Sequence, residues 1–274
     1  MISSRLSEDK HAKHDLYSFV ADHLDDASNE TKTNEIWSEA LFFFPAGGDT
    51  TSTAISALFF YLSRNLDVYN KLADEIRSTF ASNAEIQGGP QLASCRYLRA
   101  YIDEALRISP PVSGTLWREM YSDNQRSQPF IVDGHVIPPG TQVGVSIYSL
   151  HHNEKYFEEP FAFCPERWLV KDDRTLRLMH SAFSPFSLGA RGCAGKAMAY
   201  LEASLVIAKT LWYFDFEVPP GKLGEAGAGV PGKTNGRDRP GEFQLYDSFG
   251  STHVGPYLTF HPHGDFWRDI NAKA

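Results

Sequence analysis

Cysteine is scarce. The 274-residue chain has three, Cys95, Cys164 and Cys193, widely spaced and odd in number. No Cys-x-x-Cys pair or Cys/His zinc spacing occurs among them, which argues against a disulfide framework or a structural zinc and suits a reducing compartment. Long hydrophobic runs are missing too. The most apolar stretch, Leu41 to Leu62, is interrupted by Pro45, Gly47, Gly48 and Asp49, short of the roughly 20 apolar residues that span a bilayer. The opening MISSRLSEDKHAKHD has no apolar core of a signal peptide, so the chain reads as soluble or peripheral. There is no long basic run, and the net charge is −8 from 26 basic and 34 acidic residues, which makes nucleic acid a poor partner. No Gly-x-Gly-x-x-Gly fingerprint, internal repeat or low-complexity tract occurs.

What is present is a core-forming composition. Hydrophobic residues make up 42% and aromatics 13%, enough to argue against wholesale disorder. Leu16, Phe19, Val20 and Leu24 form a helical stripe over residues 12–26, and Asp25 to Asn34 reads as a polar linker. Residues 35–64 are helix-like around Phe44-Pro45-Ala46-Gly47-Gly48-Asp49-Thr50-Thr51, where proline and two glycines predict a break or kink. Leu66 to Phe80 is amphipathic, Gln87-Gly88-Gly89-Pro90 a turn, and Arg96 to Ile108 a helix stopped by Pro110-Pro111. Phe130 to Ile137 reads as strands about an Asp133-Gly134 turn, followed by Thr141 to Tyr148. Residues 149–192 are loop-rich. A long helix from Gly195 to Trp212 carries Met198, Leu201, Leu205, Ala208 and Trp212 on one side; Pro219 to Gly241 is an exposed loop, and Tyr257 to Phe260 is strand-like. The fold class is therefore mainly α with a minor β-sheet (α+β).

The most informative segment is Phe186-Ser187-Leu188-Gly189-Ala190-Arg191-Gly192-Cys193-Ala194-Gly195, with a helix immediately after it. A helix N-terminus stabilises a thiolate through unpaired N–H groups and the positive end of the dipole. Gly189, Gly192 and Gly195 allow a tight turn and close approach to a flat ligand, and Arg191 suits a carboxylate. Taken alone, Cys193 also fits a small buried cysteine at a Gly-rich helix start. The spacing Phe-x-x-Gly-x-Arg-x-Cys-x-Gly resembles the haem-binding signature of the cytochrome P-450 family, and the continuation Lys196 to Glu202 resembles its proximal helix.

Three more matches follow the family's order. Ala46-Gly47-Gly48-Asp49-Thr50-Thr51 is similar to its oxygen-activation motif, in which an acid (here Asp49) and an alcohol (here Thr50) relay protons for O–O cleavage. A plain helix cap at Asp49 is the other reading. Glu104-Ala105-Leu106-Arg107 resembles the family's Glu-x-x-Arg pair, and Arg167 in Pro165-Glu166-Arg167-Trp168 the arginine that joins it in a buried network. Arg118 stands where the family often places a propionate-binding arginine, though a solvated surface residue fits equally well; His151-His152 reads as an ordinary structural or surface pair.

The resemblance implies one partial catalytic domain over 1–274, made of a polar helix and linker (1–34), an oxygen-activation helix (35–64), a Glu-x-x-Arg helix (94–108) and a haem-thiolate loop with proximal helix (186–212). Cys193 is the implied iron ligand, with Phe186, Gly189, Arg191, Gly195 and Arg118 binding haem. Phe43, Phe44, Ala46, Val112, Ser113, Thr115 and Phe249 are the implied walls of a pocket for a small apolar organic substrate. The implied reaction is monooxygenation with dioxygen, driven by NADPH electrons through a partner flavoprotein reductase, by a monomer. The style of SEALFFFPAGGDTTSTA and PERWL is similar to fungal microsomal members, many of which act in secondary metabolism, and full-length members sit at the endoplasmic reticulum membrane. Pro45 before the glycine pair and His263 where many relatives carry arginine depart from the pattern, and the family's N-terminal half, anchor included, has no counterpart here. A non-catalytic fragment and a reductase-independent haem-thiolate isomerase or dehydratase are the alternatives; the alcohol of Thr50 argues against the latter.

Overall fold

The computed structural model describes residues 29–120 and 129–271, with Ser4, Arg5, Ser7, Glu8, Asp9, Ala12, Lys13 and Ser18. The stripe expected over residues 12–26 lies outside the described residues. Two units emerge, Met1–Asp49 and Thr50–Ala274.

Helix α1 spans Asn29–Arg64 with Pro45 inside it. Two expectations are corrected there: the linker gives way to helix from Asn29, and the proline and glycines do not interrupt the element. One missing N–H removes a single rung of the ladder, and turns already formed on either side propagate the geometry through it. From Leu41 to Asp49 every residue of α1 is exposed, whereas Ala57, Leu58, Phe60, Tyr61 and Leu62 are buried.

Helix α2 (Leu66–Thr79) buries Val68, Tyr69, Leu72, Ala73 and Ile76, an i, i+4, i+8 stripe with its neighbours. After the single-turn α3 (Pro90–Ala93), α4 (Arg96–Ile108) buries ten of its residues, from Leu98 and Ala100 to Ile108. Among the described residues the minor β component expected from the sequence consists of three two-stranded antiparallel sheets. Strand β1 (Arg118–Glu119) pairs with β4 (Gln142–Val143), and β2 (Phe130–Val132) with β3 (His135–Ile137). Asp133 and Gly134 join the second pair with φ of 48° and 78°, the left-handed pair that a two-residue hairpin turn requires. The strand expected over Thr141–Tyr148 is confined to β4, because Ser146 caps helix α5 (Ile147–His151) by accepting from the Ser149 N–H.

The region expected to be loop holds α5, a 3-10 turn at Pro165–Leu169 and α6 (Asp173–Ala182). Asp172 starts α6 by accepting from the N–H groups of Arg174 and Thr175. Helix α7 (Lys196–Tyr213) leads into β5 (Phe214–Glu217), which pairs with β6 (Thr259–Pro262); α8 (Arg268–Asn271) ends the described chain. Helix α4 packs on α2, α7 and the Pro165–Leu169 turn, and α2 also packs on α7. The face assigned to α7 is corrected. Tyr200, Ala203, Ile207 and Leu211 are buried with Ala208 and Trp212, while Met198 is 62% and Leu201 42% exposed. Among the described residues no helix is long and apolar enough to cross a membrane.

Candidate functional site

The Cys193 loop folds back on itself. Gly189–Arg191 forms one 3-10 turn, entered through Ser187 and Gly189 with φ of 58° and 65°, and the Gly192 N–H donates to the Gly189 carbonyl at 3.0 Å. The Cys193 N–H then donates to the Phe186 carbonyl at 2.8 Å, which places the thiol two residues before Gly195, the N-cap of α7. At Gly192 an added Cβ would lie 3.2 Å from the Gly189 carbonyl, so the turn has little room for a side chain. Cys193 is the one exposed thiol of the three; Cys95 is buried and Cys164 half-buried.

Beside residues 183–184, which lead into the loop, one carboxylate organises a buried network. Glu104 Oε1 accepts from Arg107 Nη2 at 2.8 Å, Arg167 Nε at 3.0 Å and the Cys164 N–H at 2.9 Å. Its Oε2 accepts from Arg107 Nε at 2.9 Å and Trp168 Nε1 at 3.0 Å. Arg107 donates its remaining N–H groups to the carbonyls of His151, Pro160 and Ala162, so all five guanidinium donors are used. The structure thus brings Glu104, Arg107 and Arg167 together. Trp168 and the Cys164 N–H also belong to this set, although sequence reasoning did not single them out; their proximity to Arg167 was the available signal.

His151 and His152 are structural. His151 Nδ1 donates to the Arg107 carbonyl at 3.0 Å while its Nε2 accepts from the Ser184 N–H at 3.0 Å, and burial drives its pKa down to about 3. His152 is stacked on both Tyr148 and Phe161, and burial lowers it to about 4. Among the described residues no group of three or more His, Cys, Asp or Glu side chains could hold a metal ion.

Thr50 is half-buried at the start of the larger unit. One turn on, buried Thr53 Oγ1 donates to the Ser251 carbonyl at 3.1 Å, and the Ser251 N–H donates to the Pro111 carbonyl at 2.8 Å. These bonds seat the 247–251 loop against the segment after the double proline. Between them lies a cavity of about 220 Å³ lined by Val112, Gly114, Thr115, Leu116, Asp247 and Phe249. Val112, Thr115 and Phe249 therefore converge. Ser113 instead holds the wall, its Oγ 3.3 Å from Ser251 Oγ. Phe43, Phe44, Ala46 and Asp49 belong to the other unit, where all four are exposed. Gly114 and Asp247 were not anticipated; a Cβ on Gly114 would lie 2.2 Å from Asp247 Oδ2.

The residues present fit a thiolate-bound haem. Every residue from Leu188 to Met198 is exposed, with Leu188 at 69% and Met198 at 62%, an apolar rim suited to a flat macrocycle beside a soft sulfur donor. Arg118 and Arg191 are both exposed, and among the described residues neither has a carboxylate partner within ion-pair distance. Guanidinium groups of this kind suit propionates.

The sequence that builds this cysteine loop and buried Glu-Arg-Arg network is similar to known proteins over most of its length. The family model for cytochrome P450 matches residues 1–225, and the chain belongs to that family. It is 40% identical over 267 residues to the cytochrome P450 monooxygenase AKT7 of Alternaria alternata, covering 95% of this chain and 50% of that protein. It is 41% identical over 250 residues to the cytochrome P450 monooxygenase poxM of Penicillium oxalicum (91% and 44% covered), and 41% identical over 251 residues to apf8 of Gibberella fujikuroi (89% and 65% covered). The chain spans about half the length of the curated relatives it matches.

Proposed function

We propose that this chain carries the haem-thiolate centre of a monooxygenase that inserts one oxygen atom of dioxygen into a small apolar organic substrate. The observation that carries the reading is the single exposed thiol, Cys193, held at the mouth of α7 by its N–H bond to the Phe186 carbonyl. When bound, a thiolate-ligated haem supplies the O–O bond cleavage. In this reading Cys193 ligates the iron, Gly189 and Gly195 keep the loop open beside the ring, and Phe186 backs the loop. Arg118 and Arg191 hold the propionates. Thr50 and Asp49 move protons toward the reacting oxygen. Val112, Thr115 and Phe249 wall the substrate cavity, and Ser113 fixes that wall.

Glu104, Arg107 and Arg167 do no chemistry in this scheme; they hold the backbone on which the loop rests. NADPH electrons arrive through a flavoprotein reductase at the endoplasmic reticulum membrane. The relatives are named as monooxygenases of fungi, which supports the oxygenase reading, and a role in fungal secondary metabolism is part of the same proposal. The test is a reduced carbon-monoxide difference spectrum of the purified, haem-reconstituted chain beside Cys193→Ser. The wild type is expected to give the thiolate-ligated band and the serine variant to lose it; identical spectra refute the assignment.

A further inference from the structure

We infer that Tyr200 is a positioning residue for the Cys193 loop, acting through a buried bond to Asp103. The inference rests on the haem-thiolate reading for its consequence and on geometry alone for its mechanism. Asp103 and Tyr200 are both buried, and the Tyr200 O–H donates to Asp103 Oδ1 at 2.6 Å. The other oxygen, Asp103 Oδ2, accepts from Arg99 Nε at 2.8 Å, and the Arg99 guanidinium lies 3.7 Å from the centre of the Tyr200 ring. A buried carboxylate requires donors, so this pair ties α7 to α4 at one defined rotation about its axis. Tyr200 also reaches the loop itself, because its ring centre lies 5.1 Å from that of Phe186. The carbonyl of Phe186 is the acceptor for the Cys193 N–H.

One path of contacts therefore runs from Asp103 through Tyr200 and Phe186 to the backbone of Cys193. Adjacent residues of α4 divide two tasks. Glu104 secures the 160–168 segment, and Asp103 sets the helix that presents the thiol. A rotation of α7 by even a small angle moves Phe186, and with it the direction in which the sulfur points. Tyr200→Phe keeps the ring and its contact with Phe186 while removing only the O–H.

Hydrogen exchange of the full chain without haem, followed over the 186–194 amides, tests the tether. Losing a hydrogen bond to a charged group is expected to speed exchange there by about tenfold in Tyr200→Phe. Arg99→Gln, a change at an exposed side chain, is expected to give a smaller change of the same sign and covers the case in which the tyrosine variant fails to fold. In haem-loaded protein, Tyr200→Phe is expected to move part of the carbon-monoxide difference spectrum from the thiolate band to the neutral-thiol band at unchanged haem content. Unchanged exchange over 186–194, or acceleration spread evenly along α4 and α7, overturns the tether. Faster loop exchange in a protein whose wild type lacks the thiolate band would leave the tether standing and sink the haem reading instead.

Discussion

Replacing Glu104 by glutamine tests the buried network most directly. The carboxylate and Arg107 are both 0% exposed, and five N–H donors converge on the two oxygens, three on Oε1 and two on Oε2. Whichever way the new amide sits, its NH2 faces at least two of those donors, and the Arg107 guanidinium loses its neutralising charge. Removing one partner of a buried pair costs about 3–5 kcal/mol, a large share of the roughly 5–15 kcal/mol by which a domain is stable. With an m-value of about 2 kcal/mol/M in urea, that loss lowers the midpoint by about 2 M. The assay is urea unfolding followed by tryptophan fluorescence, with Lys71→Ala as the comparison. Lys71 pairs with Glu166 at 2.5 Å, but their side chains are 55% and 42% exposed and screened by solvent, so its loss is expected to move the midpoint little. A glutamine variant whose midpoint falls no further than that of Lys71→Ala would refute the view that Glu104 organises the network.

Acid sensitivity offers a second check. Folded His151 and His152 titrate at about 3 and about 4, held down by burial, against about 6.5 when unfolded. Below pH 6.5 the unfolded chain binds more protons, so stability falls with falling pH, by about 1.4 kcal/mol per pH unit for each histidine until its folded pKa is reached. His152→Phe, which keeps the stack, is expected to remove one histidine's share of that slope in urea midpoints measured between pH 6.5 and 5; an unaltered slope contradicts it. At Gly229 a Cβ would lie 2.2 Å from the Arg239 carbonyl, whereas Gly241 has nothing within 4 Å. Gly229→Ala is therefore expected to destabilise by about 1–3 kcal/mol and Gly241→Ala hardly at all, and equal melting temperatures would count against the packing of the 219–241 loop.

Some elements were legible because local chemistry decides them. Helix α4 begins and ends where the apolar period and the double proline place it, and the Asp133-Gly134 hairpin follows from the left-handed preference of its turn. The face of α7 was misjudged because the helix is apolar on nearly every side, so period alone selects no face; a tyrosine at position 200 is buried while a methionine at 198 is not. Helix α1 ran through Pro45 because propagation from both flanks outweighs one lost bond. In the candidate site, the pairing of Glu104 with Arg107 and Arg167 was readable only from the order of motifs. The spacing of Arg99 and Asp103 instead reads as a surface i, i+4 pair, and nothing local reveals that Asp103 is buried under Tyr200.

That concealment has a physical logic. A thiol that must meet a ligand has to stay exposed, and an exposed loop rich in glycine has little packing of its own to fix its direction. The rigidity has to come from behind. Two adjacent carboxylates in the middle of a buried helix are costly to desolvate, and each is offset here by one arginine of its own helix and by donors from further along the chain: Arg107 with Arg167 and Trp168 for Glu104, Arg99 with Tyr200 for Asp103. Apolar residues at both places would pack, but they would supply no hydrogen bond that joins the 160–168 segment or α7 to α4. In the tether inferred above, the directional bonds of α4 are what set where the thiol points.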